Sequence, residues 1–381
     1  MKILLIGGAG FIGSRTALRL LQQGHAPVVI DSLDPQIHGE DIALSPTCRQ
    51  LDGVVPVIKG DTRDSTLLQT HLADAEAVYY FPACTGTGQS MYEIERYSDV
   101  NVRGAAIFCE ALTKQKSVKK VIVSSTRAIY GEGAAYCEEH GRVYPAPRSL
   151  DDLEAGQFAC VCPACGEPVE AVSSLEDDPA KPVSIYGITK FAQEQIIGNI
   201  CQALNIPCVT FRYQNVYGPG QSLNNAYTGI LSIFTQLLMA GRDVNLFEDA
   251  APTRDFVFID DVVEYNVRAL DATETVTLNL GSGVRSTLKD LVEALQKSLG
   301  TSSRYFVSGQ FRVGDIRNAV ADLELLTSIL GAHKFTSLQD GVDQFVAWVR
   351  TGTLNPEANA RFDRSLEEMR AAGLLRCAAQ P

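Results

Sequence analysis

Tyr186 and Lys190 stand four residues apart in Tyr186-Gly187-Ile188-Thr189-Lys190. On a helix that spacing puts a phenol and an ammonium on one face, a turn apart. A free phenol has a pKa near ~10, and a neighbouring cation favours the phenolate, moving the group toward the range of a general base. The pair can therefore do proton chemistry. Any amphipathic surface helix can produce the same spacing, so its weight comes from Ser124-Ser125-Thr126. Those hydroxyls end an apolar run that reads as a strand, and the carboxyl ends of strands are where parallel α/β sheets bind ligands.

A second constellation opens the chain. Lys2 to Ile6 reads as a buried strand, Gly7-Gly8-Ala9-Gly10-Phe11-Ile12-Gly13 as a tight turn, and the following residues as a helix. Glycines at 7, 10 and 13 let backbone approach a pyrophosphate, with Phe11 and Ile12 in the same turn, and the free amides at the start of the helix expected over 15–23 would hold its charge. Asp31 ends the next strand, 18 residues after Gly13. Its carboxylate suits ribose hydroxyls and repels a 2′-phosphate, which favours NAD over NADP. Asp61 and Thr62 end a third strand and could reach the adenine; a plain surface turn would look the same.

The elements that must hold these groups alternate. Strands are expected at 2–6, 28–30, 54–58, 77–81, 121–124 and 208–213, with helix-length segments between them. That order predicts an α/β fold, a Rossmann-like doubly wound parallel sheet. Residues 1–214 form its dinucleotide-binding part, 215–350 a smaller C-terminal substrate region whose strand at 256–259 returns to the main sheet, and 351–381 a polar tail. The tail carries one helix at 360–372 and a frayed end. Residues 131–183 fit neither part, with six prolines, five glycines and a cysteine cluster, and read as an insertion.

Together these pieces resemble the extended short-chain dehydrogenase/reductases, and within them the NAD-dependent nucleotide-sugar epimerases and dehydratases. The resemblance runs over about residues 1–350 except the insertion. It rests on the glycine turn, Asp31, Gly60-Asp61, Asn101-Val102-Arg103-Gly104, Ser124-Ser125-Thr126, Tyr186 with Lys190, Arg212 to Gly220, Arg254-Asp255-Phe256 and Arg312-Val313-Gly314-Asp315. It implies that Tyr186 is the catalytic base, that Lys190 holds the nicotinamide ribose and lowers the tyrosine pKa, and that Thr126 hydrogen-bonds the reacting sugar hydroxyl. It further implies that Asn215, Arg254 and Arg312 contact a nucleotide diphosphate, although surface salt bridges would also explain the arginines. Two departures narrow the chemistry. The family's 4,6-dehydratases carry an Asp-Glu pair after the threonine, where this chain has Arg127 and Ala128, so elimination of water is not expected. Phe81-Pro82-Ala83-Cys84 replaces a common His-Leu-Ala-Ala and alters the wall near the cofactor. Redox-neutral 4-epimerisation remains. The insertion together with residues 214–223 resembles the subset of the family acting on dTDP-L-rhamnose. Other substrates, UDP-hexoses or UDP-uronates, and a catalytically silent NAD sensor are the competing readings.

Within the insertion, Cys137-Glu138-Glu139-His140 and Cys162-Pro163-Ala164-Cys165 are two ligand pairs separated by 21 residues. Paired two-residue spacings on turns suit a tetrahedral structural zinc, with Cys160 as a substitute ligand. Free cysteines or a redox pair are the alternatives. The segment lies between the two catalytic motifs, where it could form a lid or wall over the sugar.

Acidic residues outnumber basic ones, 45 to 33, for a net charge of −12. This opposes nucleic-acid binding, so an anionic ligand must be met by local arginines. No apolar run approaches the ~20 residues of a membrane span, and the first strand does not read as a signal, so a cytoplasmic protein with reduced thiols is expected. A homodimer through helices at 101–113 and 186–204 is expected from the resemblance, and Ile196, Ile197 and Ile200 fit that face.

Overall fold

In the computed structural model, which describes residues 1–223, 225, 227, 229–352 and 358–379, seven strands share one sheet. They are Lys2–Ile6 (β1), Ala26–Asp31 (β2), Val57–Lys59 (β3), Ala77–Tyr80 (β4), Lys120–Thr126 (β5), Cys208–Tyr213 (β6) and Val276–Leu280 (β7). The order across the sheet is β7, β6, β5, β4, β1, β2, β3, and every neighbouring pair is parallel. The winding direction reverses between β1 and β4, so a crevice opens at the carboxyl ends of these strands.

Both faces of the sheet are covered, which is why β4, β5 and β6 are buried at every residue rather than alternately. Helix α1 (Phe11–Gln22) and the helix Ile259–Arg268 bury Ala17, Leu20, Val262 and Tyr265 against Tyr79, Ile122 and Phe211 on one face. Helices α2 (Gly104–Leu112) and α3 (Ile185–Ala203) bury Phe108, Leu112, Ile197 and Cys201 against Ile6, Val121 and Val123 on the other. Each large apolar side chain so buried contributes about 1.5–3 kcal/mol. Ile197 is thus core, whereas Ile196 and Ile200 remain partly exposed. Among the described residues no helix is long and apolar enough to cross a membrane.

The strand expected to return to the main sheet does not. Thr253–Phe258 pairs with Asn215–Tyr217 and Arg285–Thr287 in a separate three-stranded sheet, and β7 takes the place beside β6. Every residue of Thr253–Phe258 is buried. A run buried on both faces carries no mark of which sheet it joins. The third apolar cluster lies here, where helix α4 (Ile230–Met239) packs Leu231, Phe234 and Leu238 with Phe256, Phe258 and Phe345.

The insertion contains a three-stranded antiparallel sheet, Gly141–Val143, Ala135–Cys137 and Glu170–Ala171 in that order, with a short helix Leu150–Glu154. The tail forms helix α5 (Ala358–Ala371) and then, where fraying was expected, a strand Leu375–Cys377 paired antiparallel with Gln310–Arg312. Residues 380–381 lie outside the described residues.

Candidate active site

The crevice is a cleft of about 1150 Å³ lined by residues of the glycine turn, the ends of β2 and β5, the start of α3, α4 and α5. At one end, α1 starts from Gly10 with no side chain capping its first amides. Gly7 has φ +72°, and a Cβ there would lie 2.9 Å from the Pro82 nitrogen. A Cβ on Gly13 would lie 2.6 Å from the Gly8 Cα, so this glycine lets the helix press on the turn. Asp31 is almost fully buried; its Oδ2 accepts from the Ala9 amide and its Oδ1 from the Leu33 amide, both at 2.9 Å. The turn itself therefore aims the carboxylate. Uncapped amides, a cramped turn and an oriented carboxylate fit a dinucleotide's pyrophosphate and ribose. Phe11, Ile12, Asp61 and Thr62 line the same end. Asp61 is engaged by Arg63, which holds its carboxyl below the usual range, and the Thr62 hydroxyl bonds to the Tyr80 phenol at 3.0 Å.

In the middle of the cleft, Thr126 ends β5 and accepts from the Ala128 amide at 3.2 Å. Ser184 caps α3 by accepting from the Gly187 amide at 3.1 Å, fixing the helix start at Ile185, directly before Tyr186. A Cβ on Gly187 would lie 2.7 Å from the Ala128 oxygen, so only glycine allows α3 this close to the end of β5. Tyr186 and Thr126 thus line the same stretch of the cleft. Burial pushes the Tyr186 phenol up, while the Thr126 hydrogen bond and the Arg127 charge pull it down. Lys190 is placed otherwise than expected for the phenol's cation: its Nζ donates to the Ser124 carbonyl at 2.6 Å and to Gln193. Burial pushes that ammonium down to about 7 against the opposing charge of Glu194.

At the far end stand the arginines. Arg312 lies 4.9 Å over the Phe247 ring, and its buried Nε has no hydrogen-bond partner among the described residues. An orphaned guanidinium donor in a cleft is costly unless an anion meets it. Arg254 is fastened more fully than a free fork: Nη1 donates to the Thr253 and Arg317 carbonyls at 2.8 and 2.9 Å, and Nη2 to the Ile316 carbonyl at 2.8 Å and to Asp315 at 3.3 Å. It is buried, which removes the surface-pair explanation. Asn215 accepts from Arg127 Nε at 2.7 Å. Arg254, Arg312, Arg127 and Arg148 all act on one carboxylate, Asp315, and hold it ionised against burial.

Away from the cleft, the ligand atoms of Cys137, His140, Cys162 and Cys165 lie within 4.8 Å of one another. Cys137 Sγ is 3.8 Å from Cys165 Sγ, and His140 Nδ1 is 3.6 and 3.7 Å from the sulfurs of Cys137 and Cys162. Ligands about 2.0–2.3 Å from a tetrahedral centre stand about 3.3–3.8 Å apart, so the four fit a zinc ion. Cys160 does not substitute: its thiol turns to Glu132 at 3.6 Å.

Two features escaped the reading of the sequence. Asn101, whose motif was noted without a role, sits in a π-helical turn, Ser98–Arg103, and ties Cys84 to Thr189, with 2.8 Å to the Cys84 amide and 3.0 Å to the threonine hydroxyl. Arg127 was read only as a missing acid, although its place directly after Thr126 already put a cation at the reacting end.

The model of the NAD dependent epimerase/dehydratase family matches residues 3–149 and 158–281. The chain is 36% identical over 358 residues to the dTDP-L-rhamnose 4-epimerase of Burkholderia thailandensis, covering 91% of this chain and 94% of that one. The structure of UDP-glucose 4-epimerase from Thermotoga maritima with UDP-glucose superposes with a TM-score of 0.74 at 26% identity, over 92% of this chain and 99% of that one. The fold is shared at TM-score 0.74 and 24% identity by UDP-glucuronic acid 4-epimerase from Bacillus cereus, solved with UDP-glucuronic acid and NAD, again over 92% and 99% of the two chains. With its glycine turn, its aimed Asp31, and Thr126 and Tyr186 lining one cleft, the chain belongs to the NAD-dependent epimerase/dehydratase family of extended short-chain dehydrogenase/reductases.

Proposed function

We propose that the protein is an NAD-dependent nucleotide-sugar 4-epimerase that interconverts dTDP-L-rhamnose and dTDP-6-deoxy-L-talose. The observation that carries the reaction is that Tyr186 and Thr126 line one cleft, where Thr126 favours the Tyr186 phenolate, while the next residues, Arg127 and Ala128, offer no acid and base for dehydration. The sugar rests on the 36% identity to the rhamnose enzyme.

NAD would be held by Gly7, Gly10, Phe11, Ile12, Gly13, Asp31, Asp61, Thr62 and Lys190, and when bound it supplies a hydride acceptor and donor for the sugar C4. Tyr186 takes the proton of the C4 hydroxyl as that carbon is oxidised, and returns it when the carbon is reduced on its other face. Thr126 holds the same hydroxyl in line. Arg312, with Arg254 and Asn215 behind it, anchors the diphosphate while the keto sugar turns over. A zinc ion on Cys137, His140, Cys162 and Cys165 would have four protein ligands and no open position, which makes it structural. A homodimer would use the partly exposed Ile196 and Ile200 on α3, and a solution mass of twice the chain mass checks it.

An NMR time course of purified protein with dTDP-L-rhamnose and no added reductant tests the reading. Appearance of the C4 epimer supports it; turnover only of UDP-hexoses or UDP-uronates keeps the mechanism and replaces the sugar. Absence of turnover in NAD-loaded protein overturns the enzyme.

A further inference from the structure

The turn Asp315–Arg317 lies between the substrate cleft and the insertion. From the cleft side, Arg254 donates to the carbonyls of Ile316 and Arg317 at 2.8 and 2.9 Å. From the other side two residues of the insertion grip the same three residues. Arg148 donates through Nη2 to the Asp315 carbonyl at 3.0 Å, and Glu132 accepts from the Arg317 amide at 2.7 Å. Arg148 and Glu132 are themselves joined at 2.9 Å, and Arg148 Nη1 reaches Glu248 at 2.8 Å, which Arg317 also meets at 2.9 Å. The side chains of Arg148, Glu132 and Glu248 are at most 5% exposed. A buried network of this kind is rigid when complete and costly when one partner is removed, because the remaining charges stay buried.

The insertion also holds the preceding strand. Leu153 and Phe158 pack on Phe311, and Arg148 Nη1 donates to the Phe158 carbonyl at 3.4 Å. On the opposite edge Leu375–Cys377 pairs with Gln310–Arg312, and the Ala379 amide returns to the Glu154 carbonyl of the insertion at 2.7 Å. Arg312 thus stands on a segment clasped from both sides.

We propose that Arg148 is a positioning residue for the diphosphate end of the cleft: the insertion serves substrate binding by holding the segment 310–317 that presents Arg312 and braces Arg254. This rests on the nucleotide-sugar reading above. It differs from a lid, because the contacts lie behind the arginines.

Binding of dTDP and of UDP to purified NAD-loaded protein, measured by titration calorimetry, is the test. Arg148→Met keeps the stem and removes the charge; it should weaken dTDP about 10- to 100-fold, as a misplacement of order ~1 Å does, with NAD content unchanged. In turnover the loss should fall on KM with kcat held, and Arg148→Lys should recover part of it. If Arg148→Met does not fold, Glu132→Gln, which keeps shape and the Arg148–Glu248 pair, gives the same readout. Wild-type affinity for dTDP in a folded variant overturns the proposal. A wild-type protein that binds neither nucleotide overturns instead the reading on which it rests.

Discussion

Arg127 donates its Nε to Asn215 Oδ1 at 2.7 Å, which ties the residue after Thr126 to the strand beyond β6 and holds a guanidinium near the Tyr186 phenol. The groups that act on that phenol are Thr126 and Arg127, at and just after the end of β5, and its charge acts on Tyr97 of the neighbouring turn. Since Lys190 Nζ is spent on Ser124 and Gln193, Arg127 is the charge that draws the phenol down. Removing it raises the phenol, so less phenolate is present at a given pH. Arg127→Ala should move the acid limb of the kcat profile to higher pH and cut the rate at neutral pH about tenfold, with recovery at alkaline pH. A profile that falls without shifting would remove Arg127 from the proton chemistry.

Tyr186→Phe removes the proton acceptor and leaves the glycine turn and Asp31 untouched. NAD content after purification should match wild type while epimerisation drops by about 10²–10⁴. Thr126→Ala, which loses a hydrogen bond to the reacting hydroxyl but not the base, should cost less. Quantifying released NAD beside the NMR rate separates the two effects.

Metal analysis should find one zinc per chain. Cys165→Ser and His140→Ala should lower that ratio toward zero and destabilise the insertion, whereas Cys160→Ser should leave it at one, because that thiol faces Glu132. A ratio that follows Cys160 would move the ligand set.

His38 lies 3.8 Å from Asp31 and 3.3 Å from the Cys48 thiol. Burial opposes its charge, but these two partners raise it from 6.5 to about 9. A group with a raised folded pKa stabilises fully below its unfolded pKa and loses that contribution as pH rises through the folded one. His38→Gln should therefore cost about 1.5–3 kcal/mol in urea unfolding below pH ~6.5 and nothing above pH ~10. A loss independent of pH would mean that His38 contributes only packing.

What could be read from the chain was whatever its chemistry makes local. β1 and β6 are short β-branched runs with the expected bounds, and the glycine turn, Asp31 and the tyrosine helix carry their own signals. The Cys and His pairs announced a cluster because a zinc ion asks for fixed spacings. Sheet membership was not local. Val276–Leu280 shows Thr277 and Asn279 among its apolar residues, and Asn279 is buried only because Tyr130, at 2.7 Å, and the Ser174 carbonyl, at 2.8 Å, complete its bonds. Likewise nothing near Arg148 foretells Asp315 or Glu248, which lie 167 and 100 residues further along the chain. Asp61 was legible as a strand end, but its capture by Arg63 depends on a side-chain rotamer that spacing does not encode.

The strand Leu375–Cys377 is synthesised after every element it touches, including Gln310–Arg312 and the helix at Leu150–Glu154. During translation, domains fold as their residues emerge, and β1, β2 and the glycine turn emerge first. A growing chain can therefore assemble its dinucleotide end while the strand bearing Arg312 still lacks one neighbour. The strand that bears Arg312 thus gains its second edge only once residues 375–377 have been made.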